Sequence, residues 1–221
     1  MRVNIQHSKP SFSDSDSRLF ASVFGSSKIA SGRLVESFES KLSGYIGCAG
    51  ALATNSGTSA LHLSLLALNI GAGDEVVIPS YVCVSLLDAI HYVGAKPVLV
   101  DIDYDTFNIS LRDSKRKLTK KTRAIILPHM FGLPCDIKGF LALGLPIIED
   151  CAQSLGAKYK GRPAGSFGTL AAFSFYATKI ITTGYGGMVA SHSKKLLAKM
   201  RDLAEPDKRQ HYRIRYNYKM S

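Results

Sequence analysis

Residues 51–102 read ALATNSGTSALHLSLLALNIGAGDEVVIPSYVCVSLLDAIHYVGAKPVLVDI, and their rhythm decides the fold. Short apolar runs (ALAT, EVVIP, KPVLVDI) alternate with segments of helical pattern (TSALHLSLLAL, VSLLDAIHYV), which is the order of a parallel α/β sheet. The runs are apolar along their length, as expected of strands covered by helices on both faces. The alternation continues through RAIILP, DIKGFLAL and PIIED and, after the turn-rich YKGRPAGSFG, reaches LAAFSF. The predicted fold class is α/β, with a mostly parallel central sheet between two helical layers. Upstream, RLVESFESKLSGYIG spaces Leu34, Phe38, Leu42 and Tyr45 as the core-packing face of an amphipathic helix.

The 221 residues are 46% hydrophobic and 20% charged, the range of an ordinary globular domain. The first twenty residues lack the apolar stretch of a secretory signal. The most apolar region, 49–72, is broken by Asn55, Ser56, Thr58 and His62, so no membrane span is expected. Cys48, Cys83, Cys135 and Cys151 form no Cys-x-x-Cys pair and no compact framework, which argues against structural zinc and disulfides and places the chain in the cytoplasm. The net charge of +11 is concentrated in 112–123 and 194–219. No nucleic-acid motif accompanies either block, so they read as solvated surface or as attraction for a phosphorylated small substrate.

In such sheets function collects at the carboxyl ends of strands. After ALAT comes Asn55-Ser56-Gly57-Thr58-Ser59, directly before a helix. A helix N-terminus with glycine can hold a phosphate, although taken alone these residues read first as a Ser/Thr helix cap. After PII comes Glu149-Asp150-Cys151-Ala152-Gln153. A carboxylate at a buried strand end needs a cation or an exposed site, and a pyridinium nitrogen, or a plain capping role, would satisfy Asp150. Beyond LAAFSF, Lys179 is bracketed by apolar residues and followed by the glycine-rich Gly184-Tyr185-Gly186-Gly187. Burial would free its amine as nucleophile and base; a surface lysine at a strand end is the alternative.

In order along the chain, NSGTSAL, EVVIPSYV, GAKPVLVDID, LPHMFGLPCDI, IIEDCAQSLGA, FSFYATKIITTGYGGM and RYNYKMS resemble the DegT/StrS family of fold-type-I sugar aminotransferases, over nearly the whole chain. The resemblance implies pyridoxal 5'-phosphate as cofactor, with Lys179 as the Schiff-base lysine and Asp150 as partner of the ring nitrogen. It places Gln153 beside the ring hydroxyl. It puts Ser56, Gly57, Thr58 and Ser174 on the phosphate, and gives Asn217 to the phosphate of a neighbouring subunit in a homodimer. It also implies glutamate as amino donor and a nucleotide-linked ketosugar as acceptor, for aminosugar and surface-polysaccharide biosynthesis, with no nucleic-acid or membrane partner.

Two positions depart from the family pattern. Cys83 stands where an aromatic usually stacks on the cofactor ring, and a thiol covers far less area. Tyr185 stands where the glycine turn commonly has glutamate. The family continues past the Asn217 motif into a smaller C-terminal domain, whereas this sequence ends at Ser221. The expected organisation is therefore an N-terminal arm, 1–31, and a cofactor-binding large domain, 32–221, without the small domain. A non-catalytic remnant or cofactor-binding protein is the competing reading. A related dehydratase, in which histidine replaces the lysine, is disfavoured by Lys179 itself, and no cysteine lies in a motif suggesting a desulfurase loop.

Overall fold

The computed structural model describes residues 8–26, 32–204 and 216–220. Its strands are β1 (Gly50–Thr54), β2 (Glu75–Pro79), β3 (Lys96–Val100), β4 (Thr122–Pro128), β5 (Ile147–Asp150), the short pair β6 (Lys158–Tyr159) and β7 (Arg162–Pro163), β8 (Leu170–Ser174) and β9 (Gly187–Ser191). Seven of them form one sheet in the order β1-β9-β8-β5-β4-β2-β3, while β6 and β7 make a separate hairpin. Strands β3, β2, β4, β5 and β8 pair in parallel; β9 runs antiparallel to both β8 and β1. The sequence rhythm missed β9, because GMVAS follows a glycine turn with no helical segment before it. Its antiparallel direction has the same cause: β8 and β9 are joined by a loop rather than by a helical crossover.

The helices are α1 (Asp14–Gly25), α2 (Arg33–Ile46), α3 (Gly57–Ala67), α4 (Ser85–Tyr92), α5 (Leu111–Lys117), α6 (Ile137–Leu141) and α7 (Lys194–Ala204). Alternate residues of each strand face opposite layers. Val76 and Ile78 pack with α3 and α4, and Val77 packs with Phe140 of α6. Helix α3 is buried almost all round, from Ala60 through Leu65 and at Ala67, as expected of a mostly apolar helix inside a layer; its polar Ser64 bonds the Ala60 carbonyl and His62 the Tyr218 hydroxyl.

Two expectations require correction. Helix α2 forms, but its buried residues are Glu39, Leu42 and Ile46, with Val35 and Phe38 packed beside them, whereas Leu34 and Tyr45 are exposed. The apolar stripe is set by 35, 38, 42 and 46, and Leu34 and Tyr45, each one residue before a member of that row, both lie about 100° to the same side of it. Its polar member is held: Glu39 accepts from the Ala53 N–H at 2.8 Å and pairs with Arg201 at 2.7 Å. The second concerns β3, which is an edge strand with Leu99 exposed, so its apolar run does not mean cover on both faces. Part of the presumed arm is also helical. Ser13 and Asp16 form a capping box at the start of α1, and no residue of that helix is buried.

Candidate active site

Strands β1, β2, β4, β5 and β8 end at one edge of the sheet, and the residues that follow them enclose a cavity of about 260 Å³. Eight of the nine residues singled out in the sequence line it: Ser56, Gly57, Thr58, Cys83, Asp150, Gln153, Ser174 and Lys179. The ninth, Asn217, is exposed and does not line it. Its neighbour Tyr218 fixes its place, because the Tyr218 carbonyl accepts from the Asn55 N–H at 3.0 Å and the Tyr218 hydroxyl bonds His62 Nδ1.

At the N-terminus of α3 the two readings of the Asn55–Ser59 turn prove compatible. Ser56 caps the helix by accepting from the Ser59 N–H at 3.1 Å, which leaves the N–H groups of Gly57 and Thr58 without an intrahelical acceptor. Glycine at 57 is sterically required, since a Cβ there would sit 2.9 Å from Ser174 Cβ. Behind the turn, a Cβ on Gly187 would meet the Ser56 carbonyl oxygen at 2.2 Å. The glycines thus let α3, β8 and β9 converge on one spot. The N–H groups of Gly57 and Thr58, the hydroxyls of Ser56, Thr58 and Ser174 and the positive end of a helix then face the same volume, which is an anion cradle.

Asp150 closes the far side of the site. Its Oδ1 accepts from the Ala152 N–H at 3.0 Å, and among the described residues it has no ion-pair partner. Burial pushes its carboxyl above the ordinary 3.8, against the pull of that N–H and of the Lys179 charge. A carboxylate held in this way fits a cationic ring nitrogen and is unfavourable without one. Because the folded pKa is raised, the ionised group costs stability at pH values above its folded pKa, and the cost disappears below 3.8. Asp150→Asn keeps the acceptor for Ala152, so the cofactor-free variant should melt about 2–4 °C higher at neutral pH, with the gain vanishing in acid. Scanning calorimetry at two pH values reads this directly; an unchanged or lower melting temperature at neutral pH contradicts it.

The remaining groups are held by hydrogen bonds. Gln153 Oε1 accepts from the Phe131 N–H at 3.1 Å, leaving its amide N–H groups for the cavity. The Lys179 N–H bonds the Tyr176 carbonyl at 2.9 Å in the turn after β8. Cys83 Sγ lies 3.4 Å from Ser85 Oγ. Tyr185 meets Tyr176 edge-on with ring centroids 5.2 Å apart, and both line the cavity, so an aromatic pair occupies the rim at the departure from glutamate.

Sequence reasoning missed His129 and the weight of Glu149. His129 Nδ1 accepts from the Cys135 N–H at 3.2 Å, so Nε2 carries the proton and donates to Glu149 at 3.0 Å. Glu149 also takes the N–H groups of Gly165, Phe167 and Gly168 at 2.8, 2.8 and 2.6 Å. Burial pushes this carboxyl up, but the bond from His129 and those from Gly168 and Gly165 outweigh it and hold the pKa below 4.5. Cys151 Sγ is also close to these two side chains, yet four donors already fill the carboxylate. The available signal was a histidine directly after the apolar run RAIILP and a glutamate inside PIIED. In the basic block 112–123, Arg116 and Lys117 pair with Asp113 beyond the end of β3, and Arg123 at the start of β4 pairs with Asp74. These exposed cations in ion pairs favour the solvated-surface reading.

The family model of the DegT/DnrJ/EryC1/StrS aminotransferase family matches residues 11–221. A GDP-perosamine synthase of Escherichia coli O157:H7 is 41% identical over 199 residues, 86% of this chain and 55% of that protein. A UDP-N-acetyl-3-dehydro-α-D-glucosamine 3-aminotransferase of Acidithiobacillus ferrooxidans is 42% identical over 170 residues, 75% of this chain and 46% of that protein. The solved structure of NtdA from Bacillus subtilis with bound cofactor PMP superposes with a TM-score of 0.85 at 27% identity, covering 92% of this chain and 48% of that one. The chain spans about half the length of the curated relatives it matches.

Proposed function

The chain belongs to the DegT/DnrJ/EryC1/StrS aminotransferase family, and from that premise we propose that it moves an amino group from glutamate to a nucleotide-linked ketosugar in aminosugar and surface-polysaccharide biosynthesis. The observation that carries the proposal is the convergence of Lys179, Asp150 and the α3 anion cradle on one cavity. The family's cofactor is pyridoxal 5'-phosphate, which when bound supplies an electron sink for the substrate carbon. The pocket fits it: a cradle of N–H and hydroxyl donors suits its phosphate, and a buried carboxylate without a cation suits its ring nitrogen.

In this reading Ser56, Gly57, Thr58 and Ser174 hold the phosphate by hydrogen bonds. Asp150, as the anion, keeps a proton on the ring nitrogen. The Gln153 amide faces the ring hydroxyl, positioned by the Phe131 N–H on its oxygen. The Lys179 amine is the covalent attachment point. When free, that amine would serve as the general base and acid that moves the substrate's proton. Cys83, in the cavity wall, would cover less of the ring than an aromatic. Asn217 is assigned to the phosphate of a second copy, which makes the working unit a homodimer in the cytoplasm. Residues 1–31 are assigned as an arm and 32–221 as the cofactor domain. No helix among the described residues is long and apolar enough to cross a membrane.

The test is direct. Pyridoxal 5'-phosphate added to the protein should produce the visible absorbance of a protonated imine, and glutamate with a nucleotide-linked ketosugar should release 2-oxoglutarate. Protein that stays colourless would sink the cofactor assignment. Colour without 2-oxoglutarate would leave a cofactor-binding protein in its place.

A further inference from the structure

Outside the cavity, three aromatic rings stand exposed in a row. Tyr81 and Phe107 have centroids 5.8 Å apart, Phe107 and Phe131 6.1 Å, and the three residues are 50%, 44% and 66% exposed. Both phenylalanines hold left-handed backbone, with φ of 57° and 54°, a conformation that bulky side chains rarely adopt. Exposed rings and backbone strain are both unfavourable, and neither is relieved by packing.

The surrounding structure enforces the arrangement. Asn108, buried, follows Phe107 and clamps the turn that carries Phe131: its Oδ1 accepts from the Met130 N–H at 2.9 Å, and its Nδ2 donates to the Leu133 carbonyl at 2.9 Å. The Phe107 N–H bonds the Asp103 carbonyl at 2.9 Å, and the Phe131 N–H is fixed by Gln153. One buried amide therefore holds two strained segments together. Strain over-determined in this way marks a binding surface more often than a packing accident. The row is continuous with the cavity, because Val82, Met130 and Gln153 line it and adjoin or bond these residues.

We propose that Tyr81, Phe107 and Phe131, with planes inclined by 51° and 80° between neighbours, form a preorganised aromatic platform that meets the base of a nucleoside diphosphate with one ring face and neighbouring ring edges, its sugar end entering the cavity. This rests on the nucleotide-linked acceptor proposed above. Every base offers a π-face, so flat rings without a hydrogen-bonding code suit purine and pyrimidine alike. Rings already fixed by Asn108 lose little freedom when a base arrives.

The experiment is saturation-transfer NMR on the cofactor-loaded protein with guanosine 5'-diphosphate, uridine 5'-diphosphate and inorganic pyrophosphate as probes. The base protons should receive saturation. Phe131→Ala and Phe107→Ala should each raise the Kd of both nucleotides about tenfold, leave pyrophosphate unaffected, and be rescued by Phe131→Tyr. Unsaturated base protons, unchanged Kd in both variants, or an equal loss of pyrophosphate would overturn the platform. So would a changed oligomeric state with nucleotide binding intact, which would give these rings to a second copy. Cofactor absorbance in the same samples separates the two readings. Colour with no base contact removes the platform alone, and nucleotide stacking without colour removes the aminotransferase reading alone.

Discussion

Lys179→Ala is expected to lose the visible imine absorbance entirely and to lower transamination by about 10³-fold or more, while the fold is retained. The first loss follows because no other lysine among the described residues lines the cavity. The second follows because, in the proposed function, one amine would both attach the cofactor and carry the proton between carbons, and general acid–base catalysis alone contributes about 10²–10⁴-fold. Retention of fold follows from the site of the change, a half-buried side chain in the turn after β8, where the backbone bond to Tyr176 does not depend on the side chain. Phosphate contacts at the α3 cradle are untouched, so the variant should still bind pyridoxal 5'-phosphate, non-covalently and more weakly. Far-ultraviolet dichroism, absorbance and release of 2-oxoglutarate check the three parts. A variant that kept the imine colour would move the attachment point to another residue and undo the reading of the site.

Much of this was legible because it lies in local pattern. The alternating runs marked the parallel strands, and the groups just beyond Thr54, Ile148 and Phe173 sit at one sheet edge as a parallel topology requires. What was not legible depends on partners far away in sequence. The face of α2 turned by one row because Glu39 has Arg201 and the Ala53 N–H to satisfy, neither visible from residues 33–47. Strand β9 was hidden by its antiparallel direction. Phe107 and Phe131 look like ordinary core aromatics until Asn108 is seen joining their turns across 22 residues of chain. Cys83 was legible as a departure, yet its surroundings were not: the structure sets its thiol 3.4 Å from the Ser85 hydroxyl in the cavity wall.

The largest expected effect on stability comes from Glu149→Gln. The wild-type carboxylate is fully buried and accepts four N–H donors, two on each oxygen. A glutamine amide nitrogen must replace one oxygen, and either choice sets an NH2 group against two N–H donors. The imidazole cannot relieve this by changing tautomer, because Nδ1 is committed to the Cys135 N–H. The variant therefore leaves buried donors unpaired and removes charge-assisted bonds, a cost of about 3–5 kcal/mol, which lowers the melting temperature by roughly 10 °C. The sign of the pH dependence follows from the depressed carboxyl. Below 4.5 the unfolded state binds the proton first, so the wild-type advantage is complete above that value and drains away as pH falls through the lower folded pKa. Urea denaturation of both proteins should give a wide gap at neutral pH and converging curves in acid. A gap independent of pH would mean that shape, not charge, makes the bond network. Since Asp150 is the next residue and the 165–168 turn hangs on the same carboxylate, the destabilised variant should also bind cofactor less tightly, which ties the buried network to the chemistry beside it.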